Sequence, residues 1–166
     1  DALAYRRNER EFTNILMVEQ DNGDYAKTML RQVFIDAYNV LLYTELSKSK
    51  DETLAGISQK AIKEVSYHYS HSSSWVIRFG DGTEESHNKI QTALNELWRF
   101  TGELFETDEV EAVLVKQGIA VDVKAFQAKW EKQMDDLFTK ATLKKPETVF
   151  MQTGGRKGIH TEHLGY

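Results

Sequence analysis

The chain lacks cysteine and contains a single proline among its 166 residues. Without cysteine, it has no disulfide framework, no thiolate metal site and no cysteine nucleophile. Domains with many short strands use turn prolines more often, so the scarcity of proline favours long helices. No apolar run approaches the roughly 20 residues that span a bilayer. The net charge of −5 is modest and spread along the chain. These absences argue against a membrane or a nucleic acid as partner, and they fit a cytoplasmic protein.

Apolar residues recur at helical spacing through most of the chain. This periodicity, together with turn and capping residues, predicts five helices, at about residues 25–47, 51–79, 83–105, 107–118 and 122–141. Asp51 and Thr83 are predicted to cap the second and third helices, and Gly118 is predicted to end the fourth. Short loops imply antiparallel neighbours, so residues 1–166 are predicted to form a single all-α domain, an antiparallel helical bundle.

The same periodicity predicts which side of each helix faces the core. On the first helix Asp36 falls on the polar side, away from Phe34 and Leu41. The second helix has a predicted apolar stripe of Leu54, Ile57, Ala61, Val65, His68, Ser72, Trp75 and Phe79. Five large aromatic side chains exceed what such a bundle needs: Trp75, Trp98, Phe100, Phe105 and Trp130. We expect most of them in the core and some at a contact with a partner.

The second helix carries a degenerate metal motif. Di-iron bundle proteins place Glu-x-x-His on a helix because residues i and i+3 project together into the core. Here the residue three after Glu64 is Tyr67, a poor metal ligand, and His68 follows one position late. Glu64 and His68 have the i, i+4 spacing of some zinc sites, and Asp36 is the carboxylate that the neighbouring helix offers. The alternative is a buried His68 hydrogen-bonded to Glu64 or to a facing helix, and we favour it because metal sites are rarer.

A second group of candidate residues lies near the end of the chain. His160 and His163 flank Glu162, which is compatible with metal binding. The glycine-rich stretch at 154–158 places Arg156 and Lys157 beside flexible backbone, so its N–H groups and cations could meet a phosphate-like anion. It lacks the Gly-Lys-Ser/Thr ending of a P-loop. We therefore favour a basic connector into a capped helix.

Six stretches of sequence identify a family more specifically than the helical periodicity does. They are residues 10–14 with 16–23, 31–37, 60–65 with 67–68, 97–101, 118–122 and 153–165. The last is long and unusual, and together they run in order along essentially the whole chain. They resemble the family of C subunits of the bacterial ring-1,2-phenylacetyl-CoA epoxidase, the multicomponent enzyme of aerobic phenylacetate breakdown.

The resemblance implies a ferritin-like bundle that is not itself the oxygenase. In that family the A subunit holds the di-iron centre and the acyl-CoA, while C packs against it as a scaffold and has lost the ligand set. Glu64 with Tyr67 at the histidine position agrees with that loss, which implies no catalytic residue, metal or cofactor in this chain. Family members also have an N-terminal helical pair and a C-terminal helix, so the chain, which begins with Asp1, is expected to be a fragment.

Two functions from different classes follow. The first is a structural subunit that stabilises and positions the catalytic A subunit, with other subunits of the complex as further partners. The second is an active di-metal carboxylate oxygenase that uses Glu64, His68 and ligands outside these residues. A ferritin-like store is a weaker third possibility. On the first hypothesis Glu64 is a buried relic, and Lys60 or His68 must neutralise its charge.

Overall fold

The protein is a bundle of α-helices in the computed structural model, which describes residues 5–147 and 149–165. Five helices carry the fold: α1 (Tyr25–Leu46), α2 (Glu52–Gly80), α3 (Glu84–Leu97), α4 (Glu109–Lys116) and α5 (Gln127–Lys140). Over these residues no strand occurs, and short 3₁₀ turns supply the other regular structure. The predicted all-α class and ferritin-like helical bundle are confirmed. Within the same residues, no helix combines the length and apolar character that a membrane crossing requires.

Side chains fix the starts of the helices by accepting hydrogen bonds from the free N–H groups of the first turn. The Asp51 carboxylate accepts from the N–H groups of Thr53 and Leu54 at 2.9 and 3.0 Å. The Thr83 hydroxyl accepts from the N–H of Ser86 at 3.2 Å. Both predicted caps are confirmed, and they set the short connections that make α1, α2 and α3 neighbours along the chain.

The third helix ends earlier than the sequence predicts. It stops at Leu97, and two 3₁₀ turns cover the stretch to Phe105 that was expected to be helical. The Thr101 hydroxyl donates to the Trp98 carbonyl oxygen at 2.8 Å, and such a side-chain bond to the preceding turn competes with a regular helix. The tighter turns point the Glu103 side chain inward, where it is fully buried.

Aromatic side chains fill the centre of the bundle. The Trp98 and Trp130 rings stack with their centroids 5.9 Å apart, and Phe34 meets both rings at 5.8 and 5.9 Å. The Trp130 indole N–H donates to the Phe34 carbonyl oxygen at 3.1 Å, which satisfies its polar atom inside the core. With Phe105 also buried and Phe100 and Trp75 half-buried, the expectation that most of these aromatics lie in the core is confirmed.

The buried side of α2 is narrower than the predicted stripe, and it is rotated away from it. Ser58, Val65 and Ser72 are buried at intervals of seven residues, whereas Ile57 and His68 of the predicted stripe are exposed. A seven-residue interval is typical of two long helices packed along a single seam. Here the seam runs against α1, with which α2 makes its most extensive contact. The stripe prediction was therefore wrong for Ile57 and His68, which lie outside the strip of α2 that its neighbours cover.

Two segments without long helices pack on the bundle and touch each other. We call residues 9–20 the leading segment and residues 149–165 the trailing segment. Met17 of the leading segment belongs to the hydrophobic core, and Met151 of the trailing segment packs against it. Gly155 lies so close to the leading segment that a side chain there would collide with the Asn14 carbonyl oxygen. The two segments are therefore packed backbone to backbone.

Candidate functional site

A cleft between α1 and α2 contains most of the residues that the sequence singled out. Its volume is about 380 Å³, and its lining residues are Met29, Gln32, Asp36, Tyr67, His68 and His71. Three of the four candidate ligands, Asp36, Tyr67 and His68, meet there, whereas Glu64 is not part of the lining. The degenerate motif and the neighbouring carboxylate are therefore close in space.

Asp36 lies at the base of this cleft and is only 2% exposed. The prediction that it sits on the polar side of the first helix is wrong, because the α2 seam covers that side of α1 at Ser72. The Ser72 hydroxyl donates to one Asp36 oxygen at 2.7 Å, and the Gln32 amide donates to the other at 2.7 Å. Both donors are neutral. Asp36 is thus a buried carboxylate whose hydrogen bonds come from two side chains that can rotate.

Glu64 and His68 are exposed to solvent, contrary to two of the expectations. His68 is not a buried hydrogen-bonding residue of the core. Glu64 does not need a neutralising partner, because a carboxylate in contact with water carries its charge at little cost. Among the described residues no hydrogen bond or ion pair joins Glu64 to Lys60 or to His68. The buried carboxylate expected at Glu64 is found instead on the neighbouring helix, at Asp36.

Tyr67 occupies the position of the missing histidine and is 69% exposed. Its ring stacks on His71 with centroids 6.4 Å apart, and His71 in turn meets the edge of Trp75 at 6.5 Å. Tyr25 of α1 packs edge-on against Trp75 at 5.2 Å. Tyr67, His71 and Trp75, spaced by four residues, therefore form an aromatic row along α2.

The chemistry of this donor set does not fit a di-iron carboxylate centre. Such a centre takes a Glu from each of two helices and a Glu-x-x-His pair from each of two others. The cleft offers one carboxylate, already bonded to two neutral donors, together with the imidazoles of His68 and His71 and the Tyr67 phenol. Within the part of the chain that the structure describes, no three His, Cys, Asp or Glu side chains are placed to hold a metal ion.

The glycine-rich stretch binds an anion, but the anion belongs to this chain. The N–H groups of Gly154 and Arg156 donate to one Glu103 oxygen at 2.8 and 3.4 Å. The N–H of Leu16 donates to the other at 2.7 Å. Gly154 adopts a φ of 128°, a conformation that favours glycine and turns its N–H toward the carboxylate. The phosphate interpretation is therefore corrected, since these N–H groups are already engaged by Glu103.

Arg156, one of the two cations proposed for that phosphate, is engaged too. Its guanidinium pairs with Glu111 of α4 at 2.5 Å. The favoured alternative, a basic connector, describes only part of its role, because the stretch also joins the leading segment to the bundle through Glu103.

The two histidines near the end of the chain do not converge on a metal site. Both ring nitrogens of His160 are engaged, one by Glu19 at 2.5 Å and the other by the Phe12 carbonyl oxygen at 2.8 Å. A histidine ligand needs a free ring nitrogen with a lone pair. His163 is exposed. The metal interpretation of His160 and His163 is therefore wrong, and His160 instead contacts the leading segment.

Glu19 is a third buried carboxylate, and the sequence did not predict its burial. It accepts from the Thr161 N–H at 2.8 Å, the Thr161 hydroxyl at 2.9 Å and the Asn14 amide at 2.9 Å, as well as from His160. Burial alone would raise the pKa of Glu19, but the hydrogen bonds from Thr161, His160 and Asn14 outweigh it and the pKa lies below its ordinary value. Glu19 and Thr161 are 142 residues apart, so no local pattern links them.

Comparisons with known proteins place these observations in a family. The family model described as phenylacetic acid catabolic protein matches residues 1–166. The chain is 51% identical, over 165 residues, to the C subunit of the 1,2-phenylacetyl-CoA epoxidase of Escherichia coli (strain K12). The alignment covers 99% of this chain and 66% of that protein, so the chain spans slightly less than two thirds of the relative's length.

Proposed function

Because the chain belongs to the phenylacetic acid catabolic protein family, we propose that it is a scaffold subunit of a phenylacetyl-CoA 1,2-epoxidase complex. In this role it stabilises and positions a catalytic subunit and leaves the oxidation chemistry to it. The catalytic A subunit, with its di-iron centre and its phenylacetyl-CoA, is the proposed principal partner. Other subunits of the complex are further partners.

The observation that carries this proposal is the composition of the cleft between α1 and α2. Tyr67 stands where a di-iron motif requires a histidine, and Glu64 faces solvent. Asp36, the one carboxylate of the cleft, is already hydrogen-bonded to Ser72 and Gln32. A di-iron centre takes carboxylates from four helices and a histidine from two of them. The lining that the structure describes supplies far fewer such ligands, which supports a site that no longer binds metal.

The internal packing of the chain suits a scaffold. Buried carboxylates fix the leading segment to the trailing one, and stacked tryptophans fill the core. A rigid subunit loses little conformational freedom when it binds, so more of its contact energy stabilises the complex. By mass action, such binding also stabilises the folded state of the partner. We further propose that the described residues are the central part of one helical domain in the intact protein.

One specific observation favours the second candidate function, an active di-metal oxygenase. The cleft brings Asp36, His68 and His71 to a common cavity, and ligands from outside these residues would complete a site. In that case His68 would be a ligand, and its loss would abolish both metal binding and activity.

Reconstitution with the full-length proteins separates the two functions. Iron content and epoxidation of phenylacetyl-CoA are measured for the A subunit alone, for the full-length form of this protein alone and for both together. The scaffold proposal predicts that iron follows the A subunit and that full activity requires both proteins. Stoichiometric iron or manganese in this protein alone would overturn it.

A matched pair of variants tests the same point within the complex. His68→Gln changes an exposed side chain of the cleft, and His163→Gln changes an exposed side chain of the trailing segment. The scaffold proposal predicts that both variants keep the activity of the complex. A loss of activity and iron with His68→Gln, but not with His163→Gln, would instead establish the di-metal oxygenase.

A further inference from the structure

His160 links the trailing segment to the leading segment through both of its ring nitrogens. Nδ1 lies 2.5 Å from a Glu19 oxygen, and Nε2 lies 2.8 Å from the Phe12 carbonyl oxygen. A carbonyl oxygen has no hydrogen to donate and can only accept a hydrogen bond. The same is true of an ionised carboxylate. Both ring nitrogens must therefore donate, which requires the doubly protonated, positively charged imidazole.

The surroundings of Glu19 establish that it is the charged acceptor of this pair. Three further donors, from Asn14 and Thr161, point at its two oxygens. Hydrogen bonds to a carboxylate favour its ionised form. The side chains of Glu19 and His160 are 0% and 3% exposed, so the two charges face each other away from water. Each then depends on the other, because an unpaired buried charge is costly.

The other charged groups that act on His160 favour the same state. Glu9 of the leading segment adds a second negative charge near the ring. Burial alone would lower the pKa of His160, but the hydrogen bonds to Glu19 and Phe12 and the charges of Glu19 and Glu9 outweigh it, so the pKa is raised. In the trailing segment itself, the neighbouring Glu162 and His163 side chains are exposed.

We propose that His160 and Glu19 form a pH-sensitive clamp, which holds the trailing segment most tightly on the leading segment while His160 is charged and loosens when the ring loses its proton. A neutral imidazole has one N–H and cannot serve Glu19 and Phe12 together. Opening is local, because Glu103 independently binds the N–H groups of Leu16 and Gly154. The contacts that loosen are those of His160 with Phe12 and Glu19. The proposal does not depend on the scaffold function.

The direction of the pH effect follows from the two pKa values. The pKa of His160 in the folded protein lies above its ordinary value of 6.5. Its contribution to the stability of the clamp is therefore complete below pH 6.5 and is lost as the pH rises through the folded pKa. The pKa of Glu19 in the folded protein lies below its ordinary value of 4.5. Its contribution to the stability of the clamp is therefore present above pH 4.5 and is lost as the pH falls through the folded pKa. The clamp is therefore closed between the lowered pKa of Glu19 and the raised pKa of His160.

Two measurements on the full-length protein test the clamp. Nitrogen NMR of the histidine rings reports the charge of His160, and hydrogen exchange, corrected for the intrinsic effect of pH, reports the opening of residues 158–165. We expect two ring N–H groups at pH 6. Above pH 6.5, the equilibrium constant for closing of residues 158–165 should fall about tenfold per pH unit. The fall should continue until the pH reaches the pKa of His160 in the folded protein. Peptides from α5 should show no such step. A neutral His160 ring at pH 6, or an opening that does not follow its titration, would overturn the proposal.

A matched pair of variants identifies the partner of His160. Glu19→Gln removes the charge but keeps an oxygen that accepts, so we expect the His160 titration and the opening step to move together to lower pH. Glu162→Gln removes an exposed carboxylate two residues from His160 and should move neither. An unchanged His160 titration in folded Glu19→Gln would contradict the clamp. If that variant does not fold, the wild-type ring charge and exchange profile still decide the question.

Discussion

Two regions of the molecule bury a carboxylate that pairs with no cation among the described residues. They satisfy its oxygens with different kinds of hydrogen-bond donor. Where the leading and trailing segments meet, backbone N–H groups from both segments donate to Glu103. In the cleft, the rotatable side chains of Ser72 and Gln32 donate to Asp36. Backbone donors cannot turn into acceptors, whereas a hydroxyl or an amide can. Glu103 therefore fixes the course of the chain, while Asp36 sits in surroundings that can adjust to a change of charge.

Replacing Glu103 with glutamine should have the largest effect on stability. The amide nitrogen of the new side chain cannot accept, so either Leu16 or Gly154 is left with a buried N–H that lacks a partner. We expect a loss of about 3 kcal/mol in the free energy of unfolding, measured by urea denaturation. Glu106→Gln, three residues later and half-buried, is the control and should change little. Equal losses in the two variants would show that the backbone donors are not what makes Glu103 important.

Ser72→Ala should have an intermediate effect on the free energy of unfolding. The substitution removes one of the two hydrogen bonds to the buried Asp36 carboxylate and leaves the carboxylate in place. A hydrogen bond to a charged group contributes about 1.5 kcal/mol or more, and we expect a loss of that order in urea denaturation. Ser74→Ala, on the exposed side of the same helix, should cost less than about 0.5 kcal/mol. If the two serines behave alike, the bond to Asp36 contributes nothing to stability.

Asp36→Asn makes the same chemical change as Glu103→Gln and should be far milder. The Ser72 hydroxyl can rotate to accept, and the Gln32 amide can turn its oxygen toward the new nitrogen. We expect a change of less than about 1 kcal/mol in the free energy of unfolding, because a buried charge is removed while its network re-forms. Asp36→Ala is the comparison variant and should cost more. A loss with Asn as large as with Ala would mean that the charge itself is required.

Tyr67→His should have the smallest effect. It restores the Glu-x-x-His spacing, but both Glu64 and residue 67 face solvent, so stability should change by less than about 0.5 kcal/mol. We also expect no stoichiometric iron in the full-length variant after incubation with Fe(II) and removal of excess metal. Tyr67→Phe serves as the control without a new ligand. Tight iron binding by the histidine variant alone would show that the cleft still has the other ligands of a centre.

Local signals predicted most of the fold. Asp51 and Thr83 mark helix starts because the side chains that accept the first N–H groups lie beside them in sequence. Gly118 marks the end of α4, where a φ of 75° favours glycine. The rotation of α2 was not predictable in the same way. Which side of that helix is buried depends on the seam that α1 offers, and the periodicity of one helix does not contain this information.

The candidate site was predicted only in part, for the same reason. The spacing of Glu64, Tyr67 and His68 identified a region that does line or adjoin a cleft, but spacing alone misplaced the buried carboxylate. The burial of Glu19 and Glu103 could not be predicted because their hydrogen-bond donors are distant in sequence. Thr161 is 142 residues from Glu19, and Leu16 is 87 residues from Glu103. The one local signal was the glycine-rich stretch. It correctly predicted N–H groups that bind an anion, but the anion is Glu103 and not a phosphate.

The contact between the leading and trailing segments also constrains the order in which the chain assembles. The seam between α1 and α2 joins residues close in sequence, and such contacts form early. The hydrogen bonds of Thr161 to Glu19 close a loop of 142 residues, and no part of that closure is possible before residue 161 has left the ribosome. The leading segment is synthesised before the five helices, yet its contact with Thr161 forms only after all of them. One of the contacts that hold this early segment is thus among the last to form.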